Sequence, residues 1–254
     1  MHAEVVQQKA SLESIQSACS CSAGPAYKLF QGVGTRKEAE TAEDWQSADL
    51  LIKWSVHTIP ARRTICHPKE WSEFVTVICQ GWAVSSITLS DGRRQILSFL
   101  LPGDFVSAAS LVEPISDRSV EAVTEVTYRK FKRSDFKALL VEFPDLTERL
   151  STIWLDERAQ ADQLALDLGR RTADERIARL ILNLMERLAM RGMVNVQTME
   201  FPLRQRHIAD ATGLTPVHVS KVLGEFQRAD LIEINNRSLI IKNEKELRRT
   251  ADWR

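Results

Sequence analysis

No run of apolar residues in this chain of 254 is long enough to cross a bilayer. The opening stretch, Met1 to Gln8, is polar, and no secretory apolar core follows it. Both absences point to a cytoplasmic protein with no membrane partner. Net charge is missing as well, since 34 Lys and Arg residues balance 34 Asp and Glu. The balance is uneven along the chain, because basic residues exceed acidic ones from Arg170 onward. A local basic excess on a neutral chain suits a DNA-binding module. Paired histidines are also lacking: the β-rich part holds only His57 and His67, with no His-x-His. A metal-dependent jelly-roll enzyme needs paired His and a carboxylate converging inside the roll. That class is therefore set aside, and no catalytic residue, metal site or cofactor is expected. Of the four cysteines, Cys19 and Cys21 lie in a small-residue stretch that reads as disordered. Cys66 and Cys79 lie in or beside strand patterns; all four thiols are expected to be reduced, Cys79 as a packed thiol and Cys66 as an ordinary surface or edge residue.

What is present divides the chain in order. Residues 1–25 read as a flexible tail closed by Gly24 and Pro25. A short helix is expected from Arg36 to Leu51. Short alternating runs follow: Phe74 to Cys79, Trp82 to Leu89, Arg93 to Leu101 and Ser119 to Phe131. Ser90-Asp91-Gly92 is a hairpin signal, because glycine tolerates the positive φ of a tight turn. Strands at this regular spacing suggest a sandwich, jelly roll or barrel. Helical periodicity starts near Ser134, and Pro144 suits the start of a long helix. Leu150, Trp154, Glu157, Ala161, Leu164 and Leu168 recur at spacings of four and three, which is an a/d seam expected to pair two copies. Gly169-Arg170-Arg171 should break that helix. Thr172 and Glu175 then match a capping box, and Ile177, Leu180, Ile181, Leu184 and Leu188 mark one face of the helix it opens, which Gly192 ends.

The stretch Gln205 to Leu223 reads as helix, turn, helix. Ala209 is small where the two helices must cross. Gly213, four residues on, supplies the positive φ of the turn. Thr215 is an N-cap and Pro216 suits the first helical position. Val219 and Val222 face inward toward Ile208 and Ala209. Val217, Ser220 and Lys221 are left on the outer face, with His218 at its flank. Leu231 to Ile234, Asn235-Asn236-Arg237 and Ser238 to Ile241 form strand, turn and strand, the wing of a winged helix-turn-helix.

Gly-Trp-Ala (81–83), Asp-Gly-Arg-Arg-Gln-Ile-Leu (91–97), Leu-Pro-Gly-Asp-Phe (101–105) and Ile-Ala-Asp-Ala-Thr-Gly-Leu-Thr (208–215) are similar to segments of the Crp/Fnr family of transcription regulators. The resemblance runs from about Lys53 to Lys242. It implies an α+β chain with an N-terminal β-roll sensor (26–143), a dimerisation helix (144–169) and a C-terminal winged helix-turn-helix (170–254). It also implies a homodimer acting on double-stranded DNA and contacting RNA polymerase. Members that bind cyclic AMP use a Gly-Glu pair and an Arg-Ser or Arg-Thr pair. Gly103-Asp104 and Arg118-Ser119 resemble these, with a shorter acid and a long intervening loop, Phe105 to Asp117. Whether a small-molecule effector binds, a cyclic nucleotide included, or the regulator needs none and follows its own abundance, stays open. The iron–sulfur members carry an N-terminal cluster of three Cys and a distant fourth, which Cys19 and Cys21 do not supply. His57, His67 and Cys66 as haem ligands find no support beyond their chemistry. Pro216 and Val217 replace the Arg-Glu common at the start of the family's recognition helices. The expected DNA-binding residues are Lys221, Ser220 and Val217 toward bases, Gln205, Arg206 and His218 toward phosphates, and Thr215 beside them.

Overall fold

The computed structural model describes residues 24–30 and 52–253. The expected helix from Arg36 to Leu51, and Cys19 and Cys21, fall outside them. The chain divides into two compact units: Met1–Ala83 with Leu100–Trp154, and Val84–Phe99 with Leu155–Arg254.

The first unit contains helix α1 (Pro25–Phe30), strands β1 (Trp54–Ile59), β2 (Thr64–Cys66) and β3 (Phe74–Gln80), and, after a 3-10 turn at Ala108–Leu111, β6 (Ser119–Ala122) and β7 (Val126–Lys132). Strand β7 lies between β1 and β3, antiparallel to both, with Trp54 opposite Phe131 and Val77 opposite Arg129. Strand β2 pairs with β6. Side chains alternate across a strand, and here both faces are covered. Val75, Val77 and Phe131 point into one apolar cluster, with Phe105, Phe136 and Leu146. Ile78, Val126 and Tyr128 point into the other, with Ile65, Leu100, Val106 and Val120. That is why β3 is buried almost throughout rather than on alternate residues. Trp54 packs edge-on against Phe131, ring centroids 4.7 Å apart. Gly81 turns the chain after β3 with φ +81°, and a Cβ there would lie 2.0 Å from the Glu125 carbonyl oxygen, so only glycine fits.

Two differences from the sequence reading concern the ends of this unit. Pro25 begins a helix rather than closing a tail. Ala26 and Leu29 are fully buried in the first cluster, and the Ala26 amide donates to the Gly103 carbonyl at 2.9 Å. A six-residue helix has little stability of its own, so burial holds it, and local sequence gives no sign of that. The second difference is at Leu150. Helix α2 (Arg133–Glu142) is followed by the long helix α3 (Asp145–Arg170). Leu146, Leu150 and Ile153 of α3 belong to the first cluster. Leu150 therefore faces its own unit, and the outward stripe starts at Trp154. The helix also runs through Gly169 to Arg170 before it stops.

The second unit starts with the hairpin of β4 (Ala83–Thr88) and β5 (Arg94–Leu100), closed by Gly92 at φ +86°. Helix α4 (Ala173–Ala189) opens with the expected capping box: the Thr172 amide donates to Glu175 Oε2 at 2.7 Å, and the Glu175 amide to Thr172 Oγ1 at 3.4 Å. Its inner face, Ile177, Ala178, Ile181, Leu184 and Leu188, is buried. Helices α5 (Gln205–Thr212) and α6 (Pro216–Arg228) pack on it. A four-stranded sheet runs in the order β10, β11, β9, β8, from Ile232–Asn235, Ser238–Ile241, Thr198–Glu200 and Val194–Asn195. The last two strands were not anticipated, nor was helix α7 (Glu244–Thr250), which buries Leu247 and joins α4 through Arg248 and Glu186 at 2.9 Å.

Candidate DNA-binding surface and effector cavity

Helix α5 ends at Gly213, whose φ of 67° and ψ of 28° are left-handed. The Gly213 and Leu214 amides both return to the Ala209 carbonyl, the latter at 3.1 Å, and this makes the turn sharp. A Cβ on Gly213 would lie 3.1 Å from Leu168 Cδ2, so the turn is also pressed against the end of α3. Thr215 caps α6, its Oγ1 accepting from the His218 amide at 3.2 Å, and Pro216 is the first helical residue. Ile208, Ala209, Val219 and Val222 are buried at the crossing of α5 and α6. The face left over is the one the spacing indicates: Val217 is 80% exposed, and His218, Ser220 and Lys221 stand exposed beside it. Lys221 Nζ lies 4.0 Å from Glu225 Oε1 on the same helix, and Arg228 shares that carboxylate at the same distance. These exposed pairs are weak, so Glu225 competes little for the lysine. Gln205 and Arg206 are exposed in the first turn of α5, at the positive end of its dipole. Arg237 stands exposed at the tip of the β10–β11 turn, where Asn236 and Arg237 both have positive φ. The sequence placed it in the wing but gave it no role; a basic residue at the tip of a polar turn was the available signal.

His207 is buried in the first turn of α5, and its Nδ1 accepts from the Arg204 amide at 3.2 Å. Burial and the positive charges of Arg206, Arg94 and Arg204 push its pKa down to about 4, partly opposed by Asp210. The ring is therefore neutral at physiological pH and serves as a cap.

In the first unit a cavity of about 320 Å³ is lined by Cys66, Trp71, Thr76, Arg118, Lys130 and Arg133, among others. Arg133 shapes it by donating from Nε to the Ser110 carbonyl at 2.7 Å and from Nη2 to the Ser72 carbonyl at 2.8 Å. Burial raises the pKa of the Cys66 thiol, against the opposing charge of Lys130. Of the four candidate pocket residues only Arg118 lines the cavity. Gly103 and Asp104 close the turn after β5: Gly103 has φ +88°, and buried Asp104 accepts from the Leu101 amide through Oδ2 at 2.8 Å. Ser119 starts β6 next to Arg118. Thr76 and Lys130 were missed. The alternation that aims Ile78 and Tyr128 inward also aims these two inward, and a polar residue at an inward position was the legible sign. Among the described residues no group of His, Cys, Asp and Glu is arranged to hold a metal ion, and no helix is long and apolar enough to cross a membrane.

On α3, Trp154, Leu155 and Leu166 are 37%, 69% and 41% exposed. Ala161 is exposed, and Glu157, Leu164 and Leu168 are half-buried.

Residues 175–250 match the Crp-like helix-turn-helix domain, and residues 56–143 the cyclic nucleotide-binding domain. The chain is 32% identical over 184 residues to the transcriptional activator protein FnrL of Cereibacter sphaeroides, covering 71% of this chain and 73% of that one. The chain belongs to the Crp/Fnr family. It is 37% identical over 150 residues to the nitrogen fixation regulation protein FixK of Bradyrhizobium diazoefficiens, covering 58% of this chain and 60% of that one. Among solved structures, FixK2 from Bradyrhizobium japonicum superposes with a TM-score of 0.70 at 28% identity, covering 78% of this chain and 96% of that one. A Crp/Fnr chain of this kind is a DNA-binding transcription regulator, and its winged helix-turn-helix is the DNA-binding part.

The capping role of His207 has a pH signature. Its folded pKa, about 4, lies below the unfolded value near 6.5. The unfolded chain therefore takes up the proton first as pH falls. The stability that His207 contributes is complete above about pH 6.5 and is lost progressively toward pH 4. Denaturant unfolding at a series of pH values should show this loss, and His207→Gln, which keeps an acceptor at that position, should flatten it. An unchanged pH dependence in the variant would contradict the assignment.

Proposed function

We propose that two copies of this regulator pair along α3 and read a gapped inverted repeat with their α6 helices. Activation follows from contact with RNA polymerase, and a small effector in the roll cavity adjusts DNA binding. The observation that carries the reading is the outer face of α6, where an 80%-exposed valine, a serine and a lysine stand exposed beside the capped turn. An exposed apolar side chain of that kind fits a thymine methyl, and a lysine fits the O6 and N7 acceptors of guanine. The exposed stripe of α3 supports pairing, since one such unit reads too few bases for strong specificity. The relatives named as transcriptional activators support action at promoters.

Sedimentation at micromolar chain concentration should give a dimer. Ala161→Glu, at an exposed position of α3, should give a monomer whose operator affinity falls about a hundredfold or more as the second half-site is lost. A wild type that stays monomeric with and without DNA would end this reading. The two helices of a dimer should stand about 34 Å apart.

Binding-site selection at fixed salt separates base contacts from phosphate contacts. Lys221→Ala should cost roughly 1–3 kcal/mol at its matched base and relax the preference there. Arg206→Ala should weaken binding almost equally on all sequences and lower the salt slope. The opposite pattern would move the reading face elsewhere.

Cyclic AMP is expected not to bind with submicromolar affinity, because Asp104 is committed to the turn after β5. Calorimetric titration checks this. Submicromolar binding that disappears in Arg118→Ala would show that the cavity takes the nucleotide after all.

A further inference from the structure

Two neighbouring residues of β5 grip two neighbouring residues in the last turn of α5. Arg94 Nε and Nη2 each lie 2.8 Å from Asp210 Oδ2, and the two side chains are only 19% and 28% exposed. Gln95 Nε2 donates to the Ala211 carbonyl at 3.1 Å. The last carbonyls of a helix have no partner within it. In α5 the Ala209 carbonyl is used by the turn, that of Ala211 by Gln95, and that of Thr212 by Arg176 Nη1 at 3.0 Å. The end of α5, which fixes where the turn and then α6 begin, is thus held partly by a hairpin 116 residues earlier in the chain. A cation placed at the negative end of a helix is also favoured by the dipole. The other end of β5 is tied down as well: Arg187 Nη2 of α4 donates to the Phe99 carbonyl at 2.8 Å. The next residue, Leu100, is a buried member of the roll core.

From this geometry we infer that Arg94 is a positioning residue for operator recognition: through Asp210 it sets the angle at which the α5–α6 turn presents the reading face. Both side chains of the pair are largely buried, and neither belongs to the exposed face of α6. It differs from an exposed ion pair in two respects. It is largely screened from water, which strengthens it, and it acts beside the turn rather than in the middle of a helix. Any shift of β5 reaches the reading helix through these contacts, whether or not an effector causes it.

The test is a charge-swap cycle in the full-length chain, with affinity measured on two duplexes, one carrying the selected operator and one a scrambled version. Arg94→Glu and Asp210→Arg should each lower operator affinity roughly fivefold to tenfold. Affinity for the scrambled duplex should change less than about twofold, because phosphate contacts depend little on the angle of the reading face. A variant that only destabilised the fold would reduce the active fraction and weaken both duplexes alike. The double variant, Arg94→Glu with Asp210→Arg, restores the pair with reversed polarity and should recover most of the ratio between the two duplexes. If Arg94→Glu is recovered unfolded, Arg94→Gln, which only removes the charge, carries the same comparison. An operator-to-scrambled ratio unchanged in the single variants, or not recovered in the double variant, overturns the inference.

Discussion

Helix α6 is aimed by a junction where three segments meet closely. Gly213 bends the chain in the left-handed region, and a Cβ on that residue would come within 3.1 Å of Leu168 Cδ2. Arg176 bridges the junction with one guanidinium, donating to the carbonyls of Leu168, Arg171 and Thr212 at 2.9, 2.9 and 3.0 Å. The end of α3, the gap before α4 and the end of α5 are therefore joined through a single side chain. Thr215, Pro216 and the exposed valine and lysine of α6 follow in chain order, so their direction is inherited from this point. A methyl group on Gly213 would disturb all of it at once.

The first unit is organised by a different constraint. Its sheet is covered on both faces, and the two apolar clusters take alternate residues of β3 and β7. Polar side chains at inward positions then have to meet a cavity or a partner. Thr76 and Lys130 meet a cavity, and Arg133 pins the loops around it. This cavity is lined in part by residues that would be errors in a solid core.

The helix-turn-helix was legible because its signals are local. A small residue at 209, glycine at 213, a capping threonine at 215 and inward valines at 219 and 222 all lie in one short continuous stretch of chain. The capping box at Thr172 was legible for the same reason. The cavity was less so. Gly103-Asp104 resembles a ligand-binding pair in sequence, yet the same two residue types serve a tight turn, and only the Leu101 amide shows which role Asp104 has. Leu150 fits the seam by spacing. The spacing of a helix stripe cannot say when one face stops meeting its own sheet, and that happens at Ile153.

Periodicity, capping and turn chemistry, all effects of residues a few positions apart, determined from sequence alone that this chain carries a β-rich half, a long helix and a winged helix-turn-helix with Val217, Ser220 and Lys221 outward. Only the tertiary structure decided that Ala26 and Leu29 fold back as a helix, that Arg118 lines a cavity which Asp104 does not, and that Arg94 reaches Asp210. Each of these depends on which residues distant in the chain fill the space around a side chain. Arg94 and Asp210 lie 116 positions apart, and neither carries a mark of the other in its own neighbourhood.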